Sequence, residues 1–345
     1  MKVDDVPRSV IEAYGLDDAM LEPITIGLIN RTYRVSRDGR PVLVLQRLHP
    51  IFAGAVNSDI EAITTHLVAR GLRTPTLVRT RDGRLFHEDE GVHRALTYLE
   101  GHVHTTLREP ALAHAAGVLV GAFHRAVSDL EHDFAFTRPG AHDTPKHLAA
   151  LEAAFDAGRS HAEYDRIAPI ADAILAHGRR LPRIGELPVR IIHGDLKITN
   201  LLFDAEDRGV ALLDLDTMQK STLAIEMGDA LRSWCNPLGE SDVEAHVDEA
   251  LLEAALRGFG ESAGSLLEPE ERETLVAGLE TIALELASRF CRDAFEDCYF
   301  GWDASRHPSR TAHNQVRARS QLSLARSVAD ARTRLEHIAA HALRA

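Results

Sequence analysis

The sequence predicts an α+β fold of two lobes, a small β-rich one over residues 1–100 and a larger, mainly helical one over residues 101–345. Three observations lead there. The first hundred residues hold short strand-like runs punctuated by Asp-Gly, a dipeptide that supplies the positive φ of tight hairpin turns. The later stretches 107–127, 144–180, 241–258, 268–297 and 314–344 are dominated by Ala, Leu, Glu and Arg, the residues that favour helix. Two short apolar runs, 189–192 and 210–215, interrupt those helices as strands.

Taken in order, Gly27-Leu-Ile-Asn-Arg-Thr-Tyr-Arg-Val35 reads as a turn running into a strand, and Arg37-Asp38-Gly39-Arg40 as the hairpin turn after it. Residues 42–48 form a second strand of branched apolar residues. Asn57 or Ser58 caps a helix that runs to about Arg70 and stops at Gly71. Segments 77–81 and 85–87 flank another Asp-Gly turn, and 92–99 closes the unit as an apolar strand. A sheet-rich lobe followed by a helical one places the ligand cleft between them.

The charge balance narrows the partners. A formal net charge of −13 opposes binding of nucleic acid or an anionic membrane through bulk electrostatics. A nucleotide is not excluded, because local donors and a metal ion override the global field. Cys235, Cys291 and Cys298 have no C-x-x-C spacing, so neither a disulfide framework nor a zinc ribbon is expected and a cytoplasmic location is the default. Cys291 and Cys298, seven apart, are expected to be buried on one helix face. The N-terminus carries acids where a signal peptide is apolar, and the near-apolar run 111–123 is too short to span a bilayer. A monomer or homodimer acting on a small molecule is the expectation.

Chemistry concentrates in His193-Gly-Asp-Leu-Lys-Ile-Thr-Asn200, followed by Leu212-Leu-Asp-Leu-Asp216. A polar turn between two strands explains His-Gly-Asp alone, but not the whole ordered set. The pattern resembles the catalytic loop and metal-binding strand of the protein-kinase-like superfamily, in its aminoglycoside-phosphotransferase and choline-kinase branch, where His-Gly-Asp replaces His-Arg-Asp. The resemblance implies a bilobal protein-kinase-like fold and Mg²⁺-assisted phosphoryl transfer from ATP, which needs alignment and charge neutralisation more than covalent help. It implies Asp195 as the group that orients the acceptor hydroxyl and accepts its proton, Asn200 and Asp214 as Mg²⁺ ligands, and Lys197 as a point charge on the transferred phosphoryl. Strand alternation would put Asp216 on the same face as Asp214. His193 and the pair Gly228-Asp229 are expected to brace the loop.

The chain has neither G-x-G-x-x-G nor a Walker-type loop. By the same resemblance, Asn30 and Thr32 lie in the phosphate-covering turn, although a plain hairpin reads equally well. Arg47 stands where protein kinases place their phosphate-pairing lysine, with Glu61, or failing that Asp59, as its acid partner. Tyr98 and Leu99 mark the hinge, where main-chain groups meet adenine.

On the acceptor side, Leu28-Ile-Asn-Arg-Thr-Tyr33, Leu45-Gln-Arg47, Met227-Gly-Asp-Ala-Leu-Arg-Ser-Trp234, the stretch 289–302 and Asn314-Gln-Val-Arg-Ala-Arg-Ser-Gln321 resemble the N-acetylhexosamine 1-kinase group. That resemblance implies phosphorylation of the anomeric hydroxyl of N-acetylglucosamine or N-acetylgalactosamine, in a pocket lined by Trp234, Arg289, Tyr299 and Trp302. Aromatic faces and a forked guanidinium suit a sugar; core packing of the rings and a helix salt bridge from Arg289 to Glu285 or Asp293 are the plain alternatives. The phrase Ile225-Glu-Met, where relatives have Tyr-Asp-Phe, and a shortened run between Arg289 and Tyr299 depart from the group. An aminoglycoside, amino alcohol or other small hydroxyl compound is the alternative acceptor, and an amino-rich one calls for an acidic pocket. A nucleotide-binding protein without catalysis is the third reading. A protein kinase is not expected, since only 14 positions separate Asp214 from Gly228. The clusters His87-Glu-Asp-Glu90 and His102-x-His104 read as solvated loops.

Overall fold

The computed structural model describes residues 6–24 and 30–344. After the short helix α1 (Arg8–Tyr14), six strands make one antiparallel sheet: β1 (Met20–Ile24), β2 (Arg31–Arg37), β3 (Arg40–Arg47), β4 (Leu77–Val78), β5 (His87–Glu88) and β6 (Val92–Thr97). The order is β1-β2-β3-β6-β4, with β5 also on β6. The β2–β3 turn has Asp38 at φ 49° and Gly39 at φ 74°, the left-handed pair that Asp-Gly supplies. Helix α2 (Val56–Ala69) packs beside this sheet. Its N-cap is Ala55, while Asn57 Nδ2 donates to the Gly54 carbonyl, so neither expected capping residue performs that role. Part of the expected phosphate-covering turn, including Gly27, lies outside the described residues.

The remaining chain is helical: α3 (Pro110–Val127), α4 (Thr144–Ala157), α5 (Tyr164–Gly178), α6 (Leu223–Trp234), α7 (Glu249–Ala263), α8 (Pro269–Glu296) and α9 (Arg310–Ala342). Two small antiparallel ribbons interrupt it, β7 (Arg190–Ile192) with β10 (Gln219–Ser221), and β8 (Leu201–Phe203) with β9 (Gly209–Leu212). Together the ribbons frame the His193–Asp216 segment.

Helices α6 and α8 approach closely because glycines face each other. A Cβ on Gly278 would lie 2.0 Å from the Ala224 carbonyl oxygen, and one on Gly228 would lie 2.6 Å from that of Gly278. That contact fixes the two helices whose side chains wall the site. Cys235 and Cys291 are buried and their thiols are pushed up by burial, but Cys298 lies beyond the end of α8 and is exposed, against expectation. Among the described residues, no helix is long and apolar enough to cross a membrane.

Candidate active site

Strand β7 delivers the chain into a buried turn at His193. Gly194 sits at φ 79°, and a Cβ there would lie 2.6 Å from the Thr217 carbonyl oxygen. Glu226 on α6 clamps the turn: its two carboxylate oxygens accept the backbone N–H groups of His193 and Gly194 at 2.8 and 2.9 Å. Burial pushes the Glu226 carboxyl up, but hydrogen bonding and charge from His124 outweigh it and hold it below its ordinary value. The imidazole Nε2 of His193 lies 2.9 Å from the Leu213 carbonyl, which fixes the loop against β9. Glu226 makes the direct bonds to the turn; of the expected pair, Gly228 acts behind it through the α6–α8 contact, and Asp229 pairs with Arg232 instead.

Asp195 emerges from this turn with Lys197 Nζ 2.5 Å from its Oδ2 and Asn200 Nδ2 3.0 Å from the same oxygen. Burial alone would raise the Asp195 carboxyl; the Lys197 ammonium reverses that and keeps it ionised, below its usual range. Lys197 is raised in turn, because Asp195 and Asp214 outweigh its own desolvation. Asp214 adopts a left-handed conformation at φ 61° just after β9. Its carboxyl is pushed up to about 6 by burial and by the neighbouring charge of Asp216. A site that crowds carboxylates this way favours a cation.

Asp216 does not follow the expected strand alternation. The chain turns through a single 3₁₀ turn at Leu215–Thr217 and aims Asp216 at the sheet-bearing half of the molecule. There Arg94 on β6, 1% exposed, donates to both carboxylate oxygens, at 2.5 and 3.0 Å. Asn30 Nδ2 donates to Asp216 Oδ2 at 2.7 Å, and Gln46 Oε1 accepts from Arg94 at 2.7 and 2.9 Å. Thr32 joins the same cluster by accepting from Gln46 Nε2 at 3.2 Å.

Arg47 points the other way along β3. Its guanidinium donates to the Glu90 carbonyl, while Glu61 pairs with Arg79 at 2.6 Å, so the expected Arg47–Glu61 pair is not formed. Asp59 is buried and accepts the backbone N–H groups of Ala135 and Phe136. The reason is pleat: Gln46 and Arg47 face opposite sides, and register pairs Gln46 with Arg94. Tyr98 and Leu99 follow β6, half-buried, just before Gly101.

A cavity of about 410 Å³ opens beside Asp195 and Lys197. Asp229, Glu240 and Glu285 line it together with Arg232, Arg289 and Arg317. Arg232 pairs with Asp229 at 2.8 Å and with Glu240 at 2.5 Å. Arg289 stands 4.0 Å from Glu285, whose carboxylate is held by Thr144 and His142. Tyr299 lines the wall and is 46% exposed. The tryptophans are elsewhere. Trp234 is fully buried and donates from its indole N–H to the Leu196 carbonyl at 2.8 Å, bracing the catalytic loop from behind. Trp302 is half-buried and outside the residues that line the cavity.

Glu285, Arg232 and Arg317 line the cavity unmarked by the sequence, although Arg232 and Arg317 lie inside the stretches 227–234 and 314–321 that carry the resemblance. The sequence marks Asp293 only as a helix partner for Arg289. It accepts the backbone N–H groups of Cys298, Tyr299 and Phe300 at 2.7–3.0 Å and the Asn314 amide at 2.7 Å, so it shapes the loop bearing Tyr299.

A small antiparallel sheet over a helical lobe, with a His-Gly-Asp loop and a following Asp between them, is the arrangement of a protein-kinase-like fold. The chain belongs to the phosphotransferase enzyme family, whose model matches residues 21–264. It is 31% identical over 234 residues to a homoserine kinase of Bradyrhizobium diazoefficiens, covering 66% of this chain and 64% of that one. It is 32% identical over 178 residues to a homoserine kinase of Allorhizobium ampelinum, covering 49% of this chain and 50% of that one. The chain thus spans about half to just under two thirds of the length of these relatives. A microcompartment-associated aminopropanol kinase shares the fold, with a TM-score of 0.64 at 16% identity over 94% of this chain and 96% of that one.

Proposed function

We propose that this chain transfers a phosphoryl group from ATP to the hydroxyl of a small amino-bearing acceptor, with the hydroxy amino acid homoserine the first candidate. The observation that carries the reading is the mixed charge around the cavity: Asp229, Glu240 and Glu285 beside Arg232, Arg289 and Arg317, with Asp195 and Lys197 at one end. A zwitterion needs an acid for its ammonium and a guanidinium for its carboxylate. The homoserine kinases among its relatives favour the same class of acceptor. Of the four residues behind the hexosamine reading, Trp234 and Trp302 stand off the cavity. Tyr299, Phe300 and Arg289 remain in the wall and keep an N-acetylhexosamine as the second candidate.

In this reading Asp195, held ionised by Lys197, aligns the acceptor hydroxyl and takes its proton as the new O–P bond forms. Lys197 lies close enough to spread its charge over the transferred group. Asn200 turns its amide nitrogen to Asp195, so its amide oxygen, together with the Asp214 carboxylate, is what it offers to Mg²⁺. The Mg²⁺ that accompanies ATP neutralises phosphate charge. Arg94, steered by Gln46 and Asp216, supplies the cation on the nucleotide side in place of Arg47, with Asn30 and Thr32 beside it. Main-chain groups near Tyr98 and Leu99 meet adenine.

The test is a panel of homoserine, aminopropanol, an aminoglycoside, N-acetylglucosamine and N-acetylgalactosamine with Mg²⁺–ATP, read by ADP release and by phosphorus NMR of the product. A phosphomonoester on homoserine or aminopropanol is the expected result. Transfer to the hexosamines alone would replace the acceptor, and no ADP release with any of them would favour the non-catalytic reading.

A further inference from the structure

We infer that His102, His104 and Asp207 form a second cation site, separate from the Asn200–Asp214 pair and suited to a borderline divalent transition metal such as Zn²⁺. The three residues come from two segments far apart in sequence. His102 and His104 follow Gly101, and Asp207 is in the turn between β8 and β9. The Nε2 atoms of the two imidazoles lie 2.9 and 3.0 Å from the same carboxylate oxygen of Asp207, and all three donor atoms lie within 4.8 Å of one another. Tetrahedral zinc with bonds near 2.0–2.2 Å needs ligand atoms about 3.3 Å apart, so a small widening of the two His–Asp separations admits the ion. Two imidazoles and one carboxylate select zinc, cobalt or nickel over magnesium or calcium, which prefer all-oxygen shells.

The donors are held in place by the surrounding backbone. His102 exchanges both backbone hydrogen bonds with Phe203, at 2.8 and 2.9 Å. The His104 ring meets the Phe203 ring edge-on at 5.0 Å. The turn bearing Asp207 is tied by Asp204, whose Oδ1 accepts the N–H groups of Glu206 and Arg208 at 3.0 Å. A metal here joins the segment after the hinge glycine to the hairpin whose strands begin and end beside Asn200 and Asp214. It acts as a clip between hinge and catalytic loop and takes no part in the phosphoryl transfer.

The test uses the full chain, stripped with a chelator and titrated calorimetrically with Zn²⁺, and separately with Co²⁺ read by visible absorption. One equivalent binds, and binding raises the melting temperature. His104→Ala and Asp207→Asn each weaken binding at least tenfold while their metal-free forms melt like the parent. His104→Cys retains binding, and so does Asp214→Asn, which separates this site from the Mg²⁺ site. His102→Gln serves if either first variant fails to fold. Absence of stoichiometric binding, equal affinity in the ligand variants, or displacement by millimolar Mg²⁺ would overturn the inference.

Discussion

At the scale of single residues, the site depends on which charges are paired and where. Asp195 is kept ionised by Lys197, so Asp195→Asn removes the proton acceptor while leaving the hydrogen-bonding shape nearly intact. We expect kcat to fall at least about 100-fold; steady-state ADP release by parent and variant checks this, and equal turnover would sink the assigned role. The two arginines on facing strands separate just as sharply. Arg94→Met strands Asp216 as an unpaired buried charge beside Asp214, and breaking one side of a buried pair costs about 3–5 kcal/mol. Arg47→Ala removes a surface contact to a carbonyl and should stay within about 0.5 kcal/mol. Urea unfolding of both variants, with ATP binding by calorimetry, distinguishes them: only Arg94→Met should lose nucleotide affinity. The spacing from His193 to Asp214 is legible because local chain geometry brings those residues together. Arg94 was not legible, because its partners are 48 and 122 positions away and nothing local marks it as buried.

At the scale of elements, the loop depends on α6, and α6 depends on its glycine contact with α8. Only small residues let the helices approach until Glu226 reaches two backbone N–H groups of the catalytic turn. A methyl at Gly278 meets the Ala224 carbonyl at 2.0 Å, backbone against backbone, so the helices must separate. Gly278→Ala should therefore destabilise the fold by about 1–3 kcal/mol and lower kcat more than KM. Denaturant midpoints and steady-state kinetics check it; a wild-type kcat would show that the loop does not depend on this contact. Helix α6 also shows why some elements escaped sequence reading. Its polar residues Glu226, Asp229, Arg232 and Ser233 do recur at three- and four-residue spacing, but that face is turned inward to the catalytic turn and the cavity, so ten of its twelve residues are buried and the spacing marks no solvent face. The long helices α3, α8 and α9 were legible within a few residues because composition and length carried them. Strand β4 stops at Val78 within the expected segment 77–81, and β5 meets the expected segment 85–87 at His87 alone, because pairing with β6 decides strand bounds more than local propensity does.

At the scale of the whole molecule, histidines in both halves set the response to acid. His93 on β6 is 1% exposed, and its pKa is pushed down to about 4 by burial first and by Arg47 second. His313 on α9, also buried, is pushed down to about 4 by burial and then by Arg317. Both fall from an ordinary value of 6.5. Between 6.5 and 4 the unfolded chain takes up these protons and the native chain does not. Stability is therefore fully present above 6.5 and is lost progressively as pH falls to about 4, by up to about 3 kcal/mol for each group. His142 has the opposite sign. Its burial opposes the charge, but Glu285 outweighs it and raises its pKa, so the stability from that pair is present below 6.5 and fades as pH rises through the raised value. Burial lowers His147 as well, so among the histidines the loss on the acid side rests on three groups and that on the alkaline side on one. Urea unfolding at pH 7.5, 6.5, 5.5 and 4.5 should show stability falling steadily below pH 6.5, with a smaller slope in His93→Phe. An unchanged slope in that variant would mean that His93 takes up its proton in the folded state.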